Sequence, residues 1–247
     1  ATVLYVTDAH ESAPVVDRHG DRGGVARLKA VVDRRKAERP GALLVFGGDL
    51  AGGTLFGGVF RGEPMVGALG KAGVGLASFG QHDFDFGAAH ARALVARSPF
   101  PWVTSNLVDR EGRPFASLPT RKVVRVGALA VGFLGLTDDF DSTTPEGLVF
   151  ARDLAAAAAR EEKALRAEGA EAVVALTQAG FEANRRLLEA VPGIDAVLTE
   201  EESETLSVVR WVGGRPVAAP CGNLGSVVEL VLEKRGGDVA ARVSAHP

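Results

Sequence analysis

The stretch Gly80-Gln81-His82-Asp83-Phe84-Asp85-Phe86-Gly87 puts an imidazole and two carboxylates within four positions. The apolar run Val74-Gly75-Leu76-Ala77-Ser78-Phe79 precedes it, and a helical pattern starts at Ala88. That order reads as strand, tight loop and helix, with the titratable groups in the loop. In α/β sheets, ligands bind beyond the carboxyl ends of the strands. The competing reading is a turn whose aspartates cap the next helix.

Outward from this loop the same alternation continues in both directions. On the N-terminal side, Val3-Leu4-Tyr5-Val6 reads as a strand ending at Asp8-Ala9-His10, and polar Glu11–Asp21 with Pro14 reads as a loop. Val25, Leu28, Val31 and Val32 share one face of a helix over Gly23–Arg35. Ala42-Leu43-Leu44-Val45-Phe46 is continuously apolar, as expected of a buried parallel strand, and ends at Gly47-Gly48-Asp49. Gly52–Gly62 reads as a glycine-rich loop before a helix over Glu63–Lys71. On the C-terminal side come a helix over Ala88–Arg97, a strand over Pro101–Asn106 and neighbouring strands at Lys122–Val126 and Leu129–Leu134. An alanine-rich helix over Ala151–Glu168 ends at Gly169, which supplies a left-handed cap. A strand at Glu171–Leu176 runs into Thr177-Gln178, a helix covers Phe181–Ala190, and a strand at Ala196–Leu198 precedes Thr199-Glu200-Glu201-Glu202-Ser203-Glu204. Ser207–Val212, Arg215–Ala219, Ser226–Glu233 and Val239–Val243 alternate with glycine-rich turns and read as antiparallel strands. No repeat or composition break divides the chain, so one domain over 1–247 is expected, without a C-terminal nucleotide-binding domain.

Composition narrows the function classes. With 247 residues, 46% hydrophobic and 24% charged, the chain can bury a full α/β core. A net charge of −3 gives no reason to expect a nucleic-acid polymer or an anionic membrane as partner. The lone Cys221 excludes an internal disulfide and a cysteine-based metal cluster, and fits a cytoplasmic, reducing compartment. The alternative is export after removal of a leader outside this sequence. His19 and His90 read as solvent-facing, and Phe100 and Trp102 as core.

Asp8, His10, Asp49, Gln81, His82, Gln178 and Glu201 all fall within a few residues of the end of an expected strand. In one parallel arrangement they converge on a rim, where oxygen and nitrogen donors make a metal or phosphate site. The bland alternative is that polar residues collect in loops. His82 and Asp85, three apart in a tight turn, can touch, and the carboxylate would then hold and charge the imidazole.

In order and spacing, several segments resemble the calcineurin-like metallophosphoesterases of the 5′-nucleotidase branch. They are Asp8-Ala9-His10, Gly23-Gly24-Val25-Ala26-Arg27-Leu28, Gly48-Asp49, Phe60-Arg61-Gly62-Glu63-Pro64, Phe79–Gly87, Ser105-Asn106-Leu107, Leu176–Gly180 and Val191–Asp195. The resemblance implies a four-layer αββα sandwich with two mixed sheets, and divalent ions at the strand ends that activate water. It implies that Asp8 and His10 serve the first ion, that Asp49 bridges, that His82 with Asp85 is the catalytic pair, and that Asn106 meets the substrate.

The departures from the family pattern fall on the ligands. Gln81 replaces an asparagine, Gln178 replaces a histidine, and Thr199-Glu200-Glu201-Glu202-Ser203 stands where the family has a Gly-Gly-His-Ser-His type motif. Two outcomes are open. Gln81, Gln178 and Glu201 can supply oxygen ligands, which favours Mg²⁺, Mn²⁺ or Ca²⁺ over Zn²⁺. Alternatively the second site is empty, leaving one ion or none on Asp8, His10 and Asp49. The Glu200–Glu204 run also reads as a solvated loop, and Asp138, Asp139 and Asp141 form a further acidic loop that can reach the rim. The expected activity is metal-dependent hydrolysis of a small phosphorylated substrate, with a non-catalytic binding module on the same fold as the alternative.

Overall fold

The computed structural model describes residues 1–18, 20–138 and 149–247, so His19, Asp139 and Asp141 lie outside the described residues. The strands are β1 (Thr2–Val6), β2 (Val15–Asp17), β3 (Gly20–Arg22), β4 (Leu43–Phe46), β5 (Val74–Ala77), β6 (Leu107–Val108), β7 (Lys122–Val126), β8 (Leu129–Thr137), β9 (Phe150–Ala151), β10 (Ala172–Gln178), β11 (Ala196–Thr199), β12 (Val208–Val212), β13 (Arg215–Ala219), β14 (Val227–Arg235) and β15 (Asp238–His246). The helices are α1 (Val25–Glu38), α2 (Leu55–Phe60), α3 (Glu63–Ala72), α4 (Gly87–Arg97), α5 (Leu154–Ala167) and α6 (Phe181–Ala190).

Alternation of side chains along the strands builds the layers. On β1, Leu4 and Val6 pack with Leu28, Val32, Leu69 and Leu94 of α1, α3 and α4, whereas Val3 and Tyr5 face the other way. On β10, Val173 and Ala175 pack with Leu165, Leu187 and Leu188 of α5 and α6, whereas Val174 and Leu176 meet Val3 and Tyr5 in the seam. The order is therefore helices, sheet, sheet, helices: the expected αββα sandwich. The first sheet runs β15-β14-β1-β4-β5 and the second β12-β13-β11-β10-β8-β7. β1, β4 and β5 are parallel, as are β8, β10, β11 and β13, while β7, β12, β14 and β15 add antiparallel pairs. Both faces of the central strands are covered, which is why they read as unbroken apolar runs. Each fully buried Leu or Val there stabilises by about 1.5–3 kcal/mol.

Several local expectations need correction. The segment Glu11–Asp21 carries most of a short hairpin, β2 with β3, in place of a plain loop. The glycine-rich 52–62 stretch contains α2, because the Thr54 hydroxyl accepts from Gly57 N at 3.0 Å and caps it. The Pro101–Asn106 segment joins β5 by a single bridge, in which Ala77 N donates to Pro101 O and Val103 N to Ala77 O at 2.9 Å each, then crosses to the second sheet, where Ser105 N donates to Gly135 O at 2.7 Å. His90 is half-buried rather than solvent-facing, with Nε2 2.7 Å from Arg61 O. Phe100 and Trp102 are core residues, as expected.

Candidate active site

The parallel strands of both sheets end on one rim. Asp8 follows β1, Asp49 follows β4, the Gln81–Asp85 loop follows β5, Asp138 follows β8, Gln178 closes β10 and Glu200 follows β11. Backbone bonds stitch neighbouring ends together: Asp8 N to Gly48 O at 3.0 Å, Ala9 N to Asp49 O at 2.9 Å, and Asp138 N to Gln178 O at 2.9 Å. The two sheets join at the same end through Gln178 to Thr7 Oγ1 (2.8 Å) and Thr137 Oγ1 to Phe79 O (2.8 Å). Asp8 and Asp49 adopt left-handed backbone, φ 53° and 64°. Aspartate tolerates that region better than most side chains, and the turn redirects both carboxylates.

The loop after β5 is fastened from two sides. Asp83, 1% exposed, accepts three backbone N–H groups: Leu50 at 2.9 Å, and Asp49 and Gly80 at 3.0 Å each. In return Asp49 Oδ1 accepts from His82 N at 2.8 Å. These crossed bonds lock the Asp49 turn to the His82 turn. His82 Nδ1 then lies 3.0 Å from Asp85 Oδ2. The Asp85 hydrogen bond raises the His82 pKa, against partial burial. His10 stands edge-on to His82, ring centres 5.6 Å apart, with Nε2 3.7 Å from Asp8 Oδ1. Burial and then the His82 charge lower its pKa, so it favours the neutral form.

The substituted positions divide. Gln81 lines a cavity of about 250 Å³ with Thr137, Asp138, Gln178, Ala179, Gly180 and Glu200, and the N-terminus of α6, without a side-chain cap, borders it. Gln178 is buried, and its amide stands in contact with Thr7, Glu200 and Asp49. Glu201, expected as an oxygen ligand, lies against Asp8, with its backbone N–H 3.4 Å from Asp8 Oδ2 and its own Oε2 buried without a hydrogen-bond partner among the described residues. The acidic residues lining the cavity are Glu200 and Asp138. Asn106, expected to meet substrate, is a clamp: its amide donates to Thr137 O (2.6 Å) and Arg152 O (3.0 Å) and accepts from Thr137 N (3.0 Å). Asn106 is buried, and both of its amide hydrogens are spent on backbone carbonyls.

Two positions that sequence reasoning passed over, Asp83 and Glu200, thus prove central. Glu200 had a signal. On β11, Ala196 and Leu198 face the seam and Thr199 bonds Asn184 of α6, so strict alternation returns residue 200 to the seam. Asp83 had none, because its partners are backbone groups brought close by folding.

Electrostatically the rim is one-signed. Burial, with neighbouring carboxylates, pushes Asp8 up to about 6, Glu200 to about 7 and Glu201 to about 9, and raises Asp49 well above the ordinary carboxylate range. The leading charges acting on these four are other carboxylates and the two imidazoles, with no lysine or arginine among them. Among the described residues no three Asp, Glu, His or Cys side chains close on one point.

Comparison with known proteins bears on this geometry. No family model matches the chain. A probable 5′-nucleotidase of Treponema pallidum is 27% identical over 212 residues, covering 80% of this chain and 36% of that protein. Human 5′-nucleotidase is 28% identical over 215 residues, covering 80% and 37%. Among solved structures, the calcineurin-like phosphoesterase YfkN of Bacillus subtilis superposes with a TM-score of 0.79 at 22% identity, over 99% of this chain and 90% of that one. The resemblance to the 5′-nucleotidase branch of the calcineurin-like phosphoesterases holds. The sulfate thiohydrolase SoxB of Thermus thermophilus has the same fold, TM-score 0.86 at 23% identity, over 100% of this chain and 56% of that one. The chain thus spans little more than a third of the length of the curated relatives it matches.

Proposed function

We propose that this chain hydrolyses small phosphoric esters with a divalent cation at the shared rim, through a metal site altered from that of its relatives. The observation that carries the reading is the His82–Asp85 pair, 3.0 Å apart and tied through His82 N to Asp49. Asp8, His10, Asp49 and Gln81 are the residues that would hold the cation. The donors fit a hard ion, since oxygens outnumber the single imidazole. A buried cluster of carboxylates whose leading charged neighbours are mostly other carboxylates would repel a phosphoryl group, and a cation removes that conflict. Bound there, it would supply positive charge to the phosphoryl oxygens and lower the pKa of a water. His82, whose pKa the Asp85 hydrogen bond raises, would give its proton to the departing ester oxygen. The open N-terminus of α6 offers N–H groups to phosphoryl oxygens at the cavity edge.

Nucleoside 5′-monophosphates are the first substrates to try, because the curated relatives are named 5′-nucleotidases. A grid of those esters and nitrophenyl phosphate against Mg²⁺, Mn²⁺, Co²⁺, Ni²⁺ and Zn²⁺ tests the reading. Turnover is expected with Mg²⁺ or Mn²⁺, and His82→Asn is expected to lower kcat by about 10²–10⁴-fold. Absence of turnover across the grid removes it. The packing of Glu201 against Asp8 favours a second reading, a non-catalytic module. Under that reading Asp49→Asn leaves cellular function intact.

A further inference from the structure

Beyond the rim lies a second cavity, of about 350 Å³, between the start of α5 and one face of α6. It shares the Asp138 wall with the rim cavity. Two exposed arginines line it, Arg152 and Arg186. Among the described residues neither guanidinium makes a hydrogen bond or an ion pair. Arginines elsewhere on the same helices do: Arg166 of α5 holds Asp195 at 2.8 Å, and Arg185 of α6 holds Glu189 at 2.6 Å. Asp153, beside Arg152 in the wall, is committed to the N-terminus of α5, where its Oδ1 accepts from Ala156 N at 2.7 Å. Arg152 is set in place by its backbone. Its N–H donates to Asn106 O at 2.8 Å, and its carbonyl accepts at 3.0 Å from the Asn106 amide that also fastens the end of β8.

The helix α6 sets the spacing between the two cavities. Gly180, just ahead of its first turn, borders the rim cavity, and Ala183, Arg186 and Leu187 border the second. Six residues of helix put the Arg186 Cα about 9 Å along the axis from Gly180. Helical side chains lean back toward the N-terminus, which carries the guanidinium nearer the rim than its Cα. A phosphoryl group at the N-terminus of α6 and an anion on Arg186 are then separated by roughly the breadth of a sugar. We propose that the cavity between α5 and α6 is a subsite for a second phosphate, carried by the same ester across a sugar-sized spacer and held by Arg152 and Arg186. Guanidinium groups bind phosphate oxygens through paired N–H donors, and two of them match the charge of one phosphate. The second phosphate is held and not cleaved. For its substrate the inference rests on the hydrolase reading of the rim, whereas occupancy of the subsite does not.

The experiment uses the whole chain with Mn²⁺ and two pairs of esters matched except for the second phosphate. They are adenosine 3′,5′-bisphosphate against adenosine 5′-monophosphate, and fructose 1,6-bisphosphate against fructose 6-phosphate. In at least one pair the bisphosphate is expected to have a KM lower by about tenfold or more. Arg152→Ala with Arg186→Ala is expected to erase that advantage and to change the monophosphate constants by less than about threefold. If the double variant does not fold, each single variant is read in the same way. A second measurement needs no turnover. Inorganic phosphate is titrated in chelator while the Nε–H resonances of Arg152 and Arg186 are followed, and both are expected to move saturably. Resonances that stay still overturn the subsite. So does hydrolysis with equal KM for both members of each pair, or a bisphosphate preference that survives the double variant; these two outcomes leave the hydrolase reading intact. Phosphate that moves both arginines in a chain without esterase activity sinks the hydrolase reading and leaves the subsite standing.

Discussion

Asp83 shows how much one side chain can decide. Its carboxylate satisfies three backbone N–H groups from two loops, and through them it sets Asp49 and His82. Asparagine has the same shape but offers an NH₂ where one carboxylate oxygen accepts, so at least one N–H loses its partner at a cost of about 1–3 kcal/mol. Asp83→Asn is therefore expected to lower kcat by about tenfold or more with KM nearly unchanged. A core control such as Leu188→Ala, on the buried face of α6, should lower stability with kcat preserved. Equal kcat in the wild type and Asp83→Asn would count against the clasp. His82 and Asp85 were legible as a pair because three-residue spacing in a turn is a local property. Asp83, one of the two residues between them, looked interchangeable with a cap because its three partners come from the loops after β4 and β5.

At the scale of elements, the site depends on two loops approaching at backbone contact. A Cβ at Gly80 would lie 2.1 Å from Asp49 Oδ1, and one at Gly48 would lie 2.2 Å from Gly80 N. Gly80 has no positive φ, so its substitution tests crowding alone. Gly80→Ala is expected to destabilise by about 1–3 kcal/mol, seen as a lower urea midpoint with the slope unchanged. An unaltered midpoint would show that the Asp49 carboxylate can step aside. The long elements were readable because 3.6-residue and two-residue periods persist over many positions; α6 falls on Phe181–Ala190, the stretch expected. The short ones were not. The hairpin β2–β3 has three residues per strand, α2 is six residues with two glycines, and the 101–106 stretch divides its hydrogen bonds between two sheets. None is long enough for a period to outweigh its glycines and prolines.

For the whole molecule, the buried acidic rim couples stability to pH and to cations. In the cation-free fold Asp8, Glu200 and Glu201 hold protons up to about 6, 7 and 9, above the ordinary carboxylate range. The folded chain thus binds more protons than the unfolded one, and stability falls as pH rises. That contribution is complete below about pH 4, near the unfolded values. It is lost as pH passes through 6, 7 and 9. Melting followed by circular dichroism in chelator should therefore drop by several degrees between about pH 5 and 9. Saturating Mn²⁺ should flatten the profile, because the ion replaces the protons and stabilises the fold it binds. A level profile in chelator would contradict the buried rim. Among the described residues, no helix is long and apolar enough to cross a membrane. The sequence by itself determined the alternation of strands and helices and the collection of acidic and imidazole groups at the strand ends, because periodicity and turn chemistry are written along the chain, while the sandwich was implied by the resemblance of its ordered motifs. Only the tertiary structure decided that Glu200 rather than Glu201 reaches the cavity, that Gln178 stands between Asp49 and Glu200, and that Asn106 is spent on backbone. Those assignments depend on which side chains meet across the seam between two sheets, and direction across a seam is set by packing rather than by spacing.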